Sequence, residues 1–190
     1  MLVLASSSAY RRELLARLRV AFAVSTPDVD ETPLPQEAPR ATALRLAEMK
    51  ARAVSIRHQG DFIIGSDQVA VLGEQPLGKP GHHQAALDQL TAVAGRVVTF
   101  HTAVCLLNAR TGACDLEEVP TRVWFRDYSP AHAARYLQAE PAYDCAGSAK
   151  IESLGIALVE RVESTDPTAL IGLPLIALTT MLNNAGIEVP

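Results

Sequence analysis

The chain has 190 residues, of which 48% are hydrophobic and 20% charged, and a formal net charge of -4. This composition is that of a folded globular protein, and the length suits one domain with a continuous core. The negative balance and the absence of a basic tail argue against a nucleic-acid partner. No apolar run is long enough to cross a bilayer and no signal-peptide pattern is present, so we expect a cytoplasmic protein without a membrane partner.

The N-terminal part of the chain is predicted to alternate strands with helices. Apolar runs predict strands over 1–5, 20–26 and 61–72, the last with a polar break at 65–68. Helical spacing of apolar residues predicts helices over 9–18, capped by Ser8, and over 40–58. The segment 27–39 is rich in proline and acidic residues, which excludes a helix or a central strand there.

The remaining elements continue the same mixture of strand and helix. Turn residues occupy 74–81, strands are predicted over 96–108, 117–126 and 155–164, and helices over 82–95, 129–140 and 173–186. Ser129 and Pro130 form a typical helix start. These elements predict an α/β protein, a single domain over 1–190 with a mixed central β-sheet flanked by helices.

A serine-rich loop and two arginines follow the first predicted strand, in the stretch "LASSSAYRRELL". One interpretation is an ordinary helix start with Ser8 as the cap. The alternative is an anion site, in which Ser6, Arg11 and Arg12 join the free backbone N–H groups of the helix start in binding phosphate. Two arginines oppose the helix dipole at this end, which favours an anionic partner.

Acidic side chains occur in two stretches that could carry chemistry. Asp30 and Glu31 lie in a proline-bounded loop, which is either a solvated acidic loop or a source of oxygen ligands for a divalent metal. Asp67 follows Gly-Ser in the apolar stretch "IIGSDQV". It is either an Asx turn or a group that holds a metal or activates water, and the apolar flanks favour function.

Local sequence signals alone do not decide the roles of two lysines and one loop. The default interpretation of Lys50 on the second helix and of Lys79 in "PLGKPG" is that each is an exposed surface lysine. The Gly-Lys-Pro loop, however, restricts the backbone conformation at Lys79. The sequence lacks a P-loop signature. The stretch "DCAGSAKIESLG" (144–155) reads either as a turn between strands or as a loop lining a ligand site.

Taken together in order, these stretches resemble the Maf family of nucleoside triphosphate pyrophosphatases. The resemblance rests on "LASSSAYRRELL", "VDET", "RLAEMKA", "IIGSDQV", "GKP" and "CAGSAKIE" and extends through "VVTFHTAVCL" and "DPTALIGLPL" over nearly the whole chain. It implies an ITPase-like α/β fold with a cleft between two lobes. It also implies hydrolysis between the α and β phosphates of a nucleoside triphosphate, a divalent cation (Mg²⁺ or Mn²⁺), and a homodimer.

The resemblance also assigns roles to individual residues. Asp67 falls on the position of the catalytic acid, and the family's other cleft residues fall on Ser6, Arg11, Glu31, Lys50 and Lys79. Arg11, Lys50 and Lys79 would hold the phosphates, since phosphoryl transfer depends on positioning and charge stabilisation. Glu31 and Asp67 would hold the metal, and Asp67 would orient or deprotonate the attacking water.

Three further positions, Tyr10, Gln68 and Glu152, separate branches of this family. This combination is similar to the branch that acts on 7-methyl-GTP, whose cationic base suits an aromatic face and a carboxylate. The alternatives are a dTTP/UTP pyrophosphatase and a non-enzymatic nucleotide-binding regulator of cell division. The first is distinguished by a panel of triphosphates. The second would be favoured by a chain that keeps the arginines but lacks Asp67 and Glu31, and this chain has both acids.

Overall fold

A computed structural model describes residues 1–189 of the chain, and within them it contains seven β-strands and five α-helices. The strands are β1 Leu2–Ala5, β2 Phe22–Val24, β3 Phe62–Leu72, β4 Gln75–Leu77, β5 Val97–Asn108, β6 Cys114–Phe125 and β7 Val159–Ser164. The helices are α1 Ala9–Ala16, α2 Pro39–Ser55, α3 His83–Val93, α4 Pro130–Ala139 and α5 Leu175–Asn184. Short 3₁₀ turns lie at Ala146–Ser148, Leu154–Leu158 and Ala169–Ile171.

The seven strands form one mixed sheet. Its order is β2-β1-β3-β5-β6-β7, and β4 pairs with β3 beside this path. β1 runs parallel to both β2 and β3, whereas β4 is antiparallel to β3 and β7 is antiparallel to β6. The prediction of an α/β fold with a mixed sheet and helices is therefore confirmed. None of the helices within residues 1–189 is long and apolar enough to span a membrane.

The chain divides into two compact units, each discontinuous in sequence. The first unit comprises residues 1–68, 101–119 and the C-terminal segment from residue 165, and the second comprises 69–100 and 120–164. The expected single domain over 1–190 stays a prediction.

The first unit has a core built from β1, α1, β3, β5 and α5. Leu4, Leu15 and Leu178 are among its fully buried side chains. In the second unit, α3 packs against α4 and against the 3₁₀ turn at Ala146–Ser148, burying Leu90 and Leu137.

Three sequence predictions about local structure are wrong in detail. The polar break at 65–68 is absent, because β3 continues through these residues and the neighbouring helix and segment satisfy its polar groups. The turn region 74–81 contains the short strand β4, which closes a hairpin on β3. The predicted strand over 155–164 begins as the turn Leu154–Leu158 and becomes strand β7 only at Val159. The helices predicted over 9–18, 40–58, 82–95, 129–140 and 173–186 are all present and end within three residues of the expected bounds.

Helix α2 lies so close to strand β3 that only glycine fits at the contact. A Cβ atom built at Gly65 would overlap the backbone carbonyl oxygen of Ala47 and lie 3.0 Å from the Cβ of Ala51. Ala47 and Ala51 are themselves fully buried. Three small residues therefore set the distance between this helix and this strand, and both elements carry candidate site residues.

The acidic loop before α2 is attached to the helix through the half-buried carboxylate of Glu37. Arg45 Nε and Nη2 donate to the two oxygens of Glu37 at 2.6 and 2.7 Å. The hydroxyl of Thr42 and the backbone N–H of Leu34 donate to the same carboxylate. Arg45 also donates to the carbonyl oxygen of Thr32, directly after Glu31 in the chain. The loop that carries Glu31 is therefore tied to α2 by side-chain hydrogen bonds.

Substituting Gly65→Ala should destabilise the protein strongly, because the added methyl forces α2 away from β3. We expect a loss of about 1–3 kcal/mol, the range of overpacked cores. Urea denaturation measures this loss of unfolding free energy. The matched control is Gly60→Ala, at which an added Cβ meets nothing within 4 Å, and it should leave the midpoint nearly unchanged. Equal midpoints for the two variants would contradict the close approach of helix and strand.

Substituting Glu37→Gln should lower the melting temperature at neutral pH and have no effect in strong acid. The hydrogen bonds from Arg45 lower the pKa of Glu37 to about 2, so its ionised form stabilises the fold above the pKa of the unfolded carboxyl. That contribution disappears as the pH falls from about 4.5 towards 2. Melting curves recorded across this pH range test the prediction. The control is Glu13→Gln, at an exposed residue of α1.

Candidate active site

The serine loop lies where strand β1 ends and strand β3 continues. Ala5, the last residue of β1, pairs with Gly65 in the parallel register. Ser6 therefore leaves the sheet at the level at which β3 proceeds to Ser66 and Asp67. Ser6 is buried, and its hydroxyl oxygen accepts a hydrogen bond from the backbone N–H of Ser8 at 3.1 Å. The carboxyl end of a parallel strand is the usual location of binding groups in α/β proteins.

Ser8 caps helix α1, as predicted. Its hydroxyl oxygen accepts from the backbone N–H of Arg11 at 3.4 Å, and Arg12 closes the first helical turn through its own N–H to the Ser8 carbonyl. The cap is therefore Ser8, and the expected phosphate contact of Ser6 stays a prediction. Ser8 caps, and the hydroxyl proton of Ser6 is available as a donor because its hydroxyl oxygen acts as the acceptor towards Ser8.

Arg11 is fixed at one nitrogen by a backbone carbonyl. Its Nε donates to the carbonyl oxygen of Gly172 at 2.8 Å, and the fully buried hydroxyl of Ser66 donates to the same oxygen at 2.9 Å. Gly172 has a φ of 118°, a conformation in which glycine is favoured. With Nε engaged, the terminal nitrogens of Arg11 remain as the donors with which it can bind an anion. Arg12 is exposed on the same helix, and Tyr10 is half-buried.

A buried lysine bridges the two carboxylates singled out in the sequence. Lys50 Nζ lies 2.6 Å from Asp67 Oδ1 and 2.9 Å from Glu31 Oε1. Lys50 and Asp67 are only 4% and 6% exposed, whereas the side chain of Glu31 is 60% exposed. Helix α2 supplies the lysine, strand β3 the aspartate, and the acidic loop the glutamate. The default interpretation of Lys50 as a surface lysine is therefore excluded.

Burial and charge act on Asp67 in opposite directions. Burial raises the pKa of the Asp67 carboxyl, while the nearby charges of Lys50 and Arg11 lower it. For Arg11, burial lowers the pKa of the guanidinium, and the carboxylates of Asp67 and Glu31 raise it. The four charged groups are therefore electrostatically coupled. A buried carboxylate whose protonation is set by burial and adjacent cations is typical of acid–base sites.

Gln68, the residue after Asp67, is held through its side-chain nitrogen. Gln68 Nε2 lies 2.9 Å from Thr102 Oγ1, 3.1 Å from the carbonyl oxygen of Ala169 and 3.0 Å from that of Leu170. The hydroxyl of Thr102 in turn donates to the Ala169 carbonyl at 2.9 Å. The segment that fixes Arg11 therefore also fixes Gln68.

The segment 166–176 owes its conformation to a buried aspartate. Asp166 is 2% exposed. One of its carboxylate oxygens accepts from the N–H and hydroxyl of Thr168, and the other from the backbone N–H of Ile176 at 2.6 Å. This carboxylate therefore caps the start of α5 and closes the turn whose carbonyls contact Arg11, Ser66 and Gln68.

The structure brings Ser6, Arg11, Glu31, Lys50, Asp67 and Gln68 into the first unit. Lys79 and Glu152 belong to the second unit, where both are exposed. Their participation in one site with the residues of the first unit stays a prediction. In the 144–155 stretch, Lys150 pairs with Asp144 at 3.2 Å, and the buried hydroxyl of Ser148 donates to Gln89 at 2.6 Å.

Sequence reasoning missed the groups that hold the site residues in place. Ser66, Thr102 and Asp166 are almost completely buried, and the carbonyls of Ala169, Leu170 and Gly172 carry no sequence signal. The dense placement of Pro167, Gly172 and Pro174 in "DPTALIGLPL" was the available signal, because it indicates an irregular backbone segment. No local pattern relates that segment to Arg11 or Gln68.

The carboxylates of Glu31 and Asp67 are oxygen donors of the kind that bind divalent cations. Within residues 1–189 no group of three or more His, Cys, Asp or Glu side chains is arranged to hold a metal ion. Glu31 and Asp67 both face the Lys50 ammonium, so this position already holds a positive charge between two carboxylates. Mg²⁺ is commonly bound by one or two carboxylates with substrate phosphates completing its shell. The two residues therefore fit a metal that binds together with the substrate.

These features define an α/β protein with a coupled set of two cations and two carboxylates beside the end of a parallel strand, the arrangement of an enzyme that handles an anionic substrate. The chain belongs to the Maf family, since the model described as "Maf-like protein" matches residues 1–185. The family resemblance noted in the sequence is confirmed.

Named relatives match almost the whole chain. A protein of Cupriavidus metallidurans is 60% identical over 185 residues, which span 97% of this chain and 93% of the relative. Proteins of Thiobacillus denitrificans and Ralstonia nicotianae are 58% and 59% identical, over 99% and 96% of this chain and 94% of each relative. All three are named 7-methyl-GTP pyrophosphatase. Among solved structures, the Staphylococcus aureus Ham1 protein matches 66% of this chain and 72% of its own, with 14% identity and a TM-score of 0.48.

Substituting Lys50→Met should destabilise the protein by about 3–5 kcal/mol, because it leaves the buried Asp67 carboxylate without its cation. Adding Asp67→Asn to this variant should recover part of the loss, since the buried charge is then removed as well. Glu31→Gln should cost about 1 kcal/mol or less, as the exposed end of the bridge is screened by solvent. Urea denaturation of these variants and of the single Asp67→Asn measures these differences, and the exposed Lys79→Met is the matched control. An additive double variant would contradict the buried pair.

Proposed function

We propose that this chain is a nucleoside triphosphate pyrophosphatase that hydrolyses 7-methyl-GTP to 7-methyl-GMP and pyrophosphate. The names of relatives at 58–60% identity over nearly the full length support this activity. The observation that carries the proposal is the buried Asp67, held at 2.6 Å by Lys50 and coupled to Arg11. A carboxylate placed between cations suits a reaction in which an anionic phosphate meets a water molecule.

In the proposed reaction, Asp67 accepts a proton from the water that attacks the α-phosphorus. The new bond forms between the water oxygen and the α-phosphorus, and the bond from that phosphorus to the bridging oxygen breaks. Pyrophosphate leaves with the bonding electron pair. Burial raises the pKa of the Asp67 carboxyl, which brings its basicity closer to that needed for general-base catalysis near neutral pH.

The cations would bind the triphosphate. The terminal nitrogens of Arg11 suit bidentate contact with phosphate oxygens, while Arg12 and Lys79 add exposed positive charge. Ser6 and the start of α1 would donate further hydrogen bonds. Lys50 would stabilise charge on the phosphates and keep Asp67 in place.

A divalent cation, Mg²⁺ or Mn²⁺, would be held by Glu31 and Asp67 together with the phosphates. When bound, the ion neutralises negative charge on the phosphate oxygens. The exposure of Glu31, at 60% of its side chain, leaves that carboxylate accessible to an ion that arrives with the substrate.

Recognition of the base is assigned to Tyr10, Gln68 and Glu152. Methylation at N7 gives guanine a positive charge, which suits the face of an aromatic ring and a carboxylate. Tyr10 would supply the ring and Glu152 the carboxylate. The expected homodimer and the cytoplasmic location stay predictions.

Substituting Asp67→Asn should reduce pyrophosphate release from 7-methyl-GTP by about 10²–10⁴-fold, because an amide cannot accept the proton. A coupled assay for pyrophosphate measures the rate, and circular dichroism confirms that the variant is folded. The matched control is Asp28→Asn in the exposed part of the acidic loop, which should keep wild-type activity. Undiminished turnover by Asp67→Asn would exclude this residue as the base.

A panel of 7-methyl-GTP, GTP, dTTP and UTP tests the substrate. The highest kcat/KM should belong to 7-methyl-GTP, and chelation by EDTA should abolish turnover until Mg²⁺ or Mn²⁺ is restored. A clear preference for dTTP or UTP would overturn the assignment of Tyr10, Gln68 and Glu152 but not the pyrophosphatase activity.

A further inference from the structure

The side-chain amide of Gln68 has only one orientation that its surroundings accept. Its Nε2 lies within 3.1 Å of three oxygens, those of Thr102, Ala169 and Leu170. The two carbonyls can only accept hydrogen bonds. Thr102 uses its single hydroxyl proton on the Ala169 carbonyl at 2.9 Å, so towards Gln68 it too can only accept. Rotating the amide by half a turn would place its oxygen against three acceptors.

The other end of the amide is left free. Among residues 1–189, Gln68 Oε1 takes part in no hydrogen bond, and no buried side-chain oxygen or nitrogen lacks a partner. Oε1 is therefore not completely buried, and Gln68 as a whole is half-buried. In consequence Gln68 presents a hydrogen-bond acceptor to anything that approaches it and cannot present a donor. A glutamine side chain normally offers both a donor and an acceptor, whereas Gln68 offers only the acceptor.

Thr102 supplies the only one of the three acceptors that belongs to a side chain, so it is the one that a substitution can remove. It lies on strand β5, one residue after His101, and it is completely buried. It contacts Gln68 and the Ala169 carbonyl at the same time, so it joins the strand to the turn that also holds Arg11. Its hydroxyl is completely buried and its single proton is used on the Ala169 carbonyl, so we infer that it acts through Gln68 and not on a substrate directly.

We propose that Thr102 is a positioning residue for base recognition, which acts by holding Gln68 so that Oε1 accepts a hydrogen bond from the exocyclic amine of guanine. The inference rests on the proposed function for its substrate. The guanine edge offers donors at N1–H and at the N2 amine, and only an acceptor can meet them. Removing the hydroxyl of Thr102 would leave the amide held by the two carbonyls alone, and so would loosen Gln68 and weaken this contact without touching the reacting phosphates.

The central test compares Thr102→Val, which keeps the shape of the side chain but removes the hydroxyl, with the wild type. KM for 7-methyl-GTP should rise by about two- to tenfold, the range that one neutral hydrogen bond supports, while kcat changes little. Thr102→Ser restores the hydroxyl and should bring KM back towards the wild-type value. The matched control Thr121→Val removes another buried threonine hydroxyl, one bonded to Ser164, and should leave KM unchanged. A fall in kcat with constant KM would overturn the proposal.

Two further measurements separate a positioning role from a structural one. In a Gln68→Met background, adding Thr102→Val should have no further effect on KM, because Thr102 acts through Gln68. An additive effect would overturn that route. The wild type should also prefer 7-methyl-GTP over 7-methyl-ITP, which lacks the exocyclic amine, and Gln68→Met should remove the preference. Equal kcat/KM values for the two substrates in the wild type would overturn the assigned contact.

Failure of the proposed function can be distinguished from failure of this inference by nuclear magnetic resonance. The side-chain NH₂ protons of Gln68 should exchange slowly with solvent in the wild type and markedly faster in Thr102→Val. This readout needs no substrate. If the amide is loosened but no triphosphate is hydrolysed, the proposed function has failed. If the exchange rates are equal in the two proteins, Thr102 does not hold Gln68.

Discussion

The close packing of α2 on β3 is the constraint on which the candidate site depends. Gly65 has no side chain, and Ala47 and Ala51 have the smallest, so the helix approaches the strand until a Cβ at 65 would overlap a backbone carbonyl. Lys50 lies between Ala47 and Ala51 on the helix, and the same approach brings it against Asp67 at 2.6 Å. Burying both charges costs solvation that only their mutual contact offsets. A looser helix would leave each charge buried without its partner.

A second constraint is the use of backbone carbonyls to hold functional side chains. The turn Ala169–Gly172 contacts Arg11, Ser66 and Gln68 through three carbonyl oxygens. Carbonyls only accept, so they select which nitrogen of Arg11 and which end of the Gln68 amide face the turn. Asp166 stabilises the turn by accepting from Thr168 and from the start of α5. The side chains proposed for phosphate binding and for base recognition, Arg11 and Gln68, thus share one support in the first unit.

The fold class was predictable from the sequence because hydrophobic periodicity reports burial directly. The pattern of α2, with apolar residues on one face, was visible without coordinates. What the pattern could not show was that Lys50 lies on the buried side of the same helix, since a lysine is by default exposed. The break predicted at 65–68 failed for a related reason. Polar residues in a strand indicate a loop only when no neighbouring segment satisfies them, and here Gly172 and Thr102 do.

The sequence by itself determined the mixed α/β class, the Ser8 cap, and, through the resemblance to the Maf family, the candidate site residues. Those features follow from local patterns and ordered motifs. Only the tertiary structure decided that Lys50 bridges Glu31 and Asp67, and that Gln68 donates to Thr102. Each of these depends on residues distant in the chain meeting in space. Hydrogen-bond partners and the loss of solvent fix such contacts, and neither is encoded in the spacing of residues along a sequence.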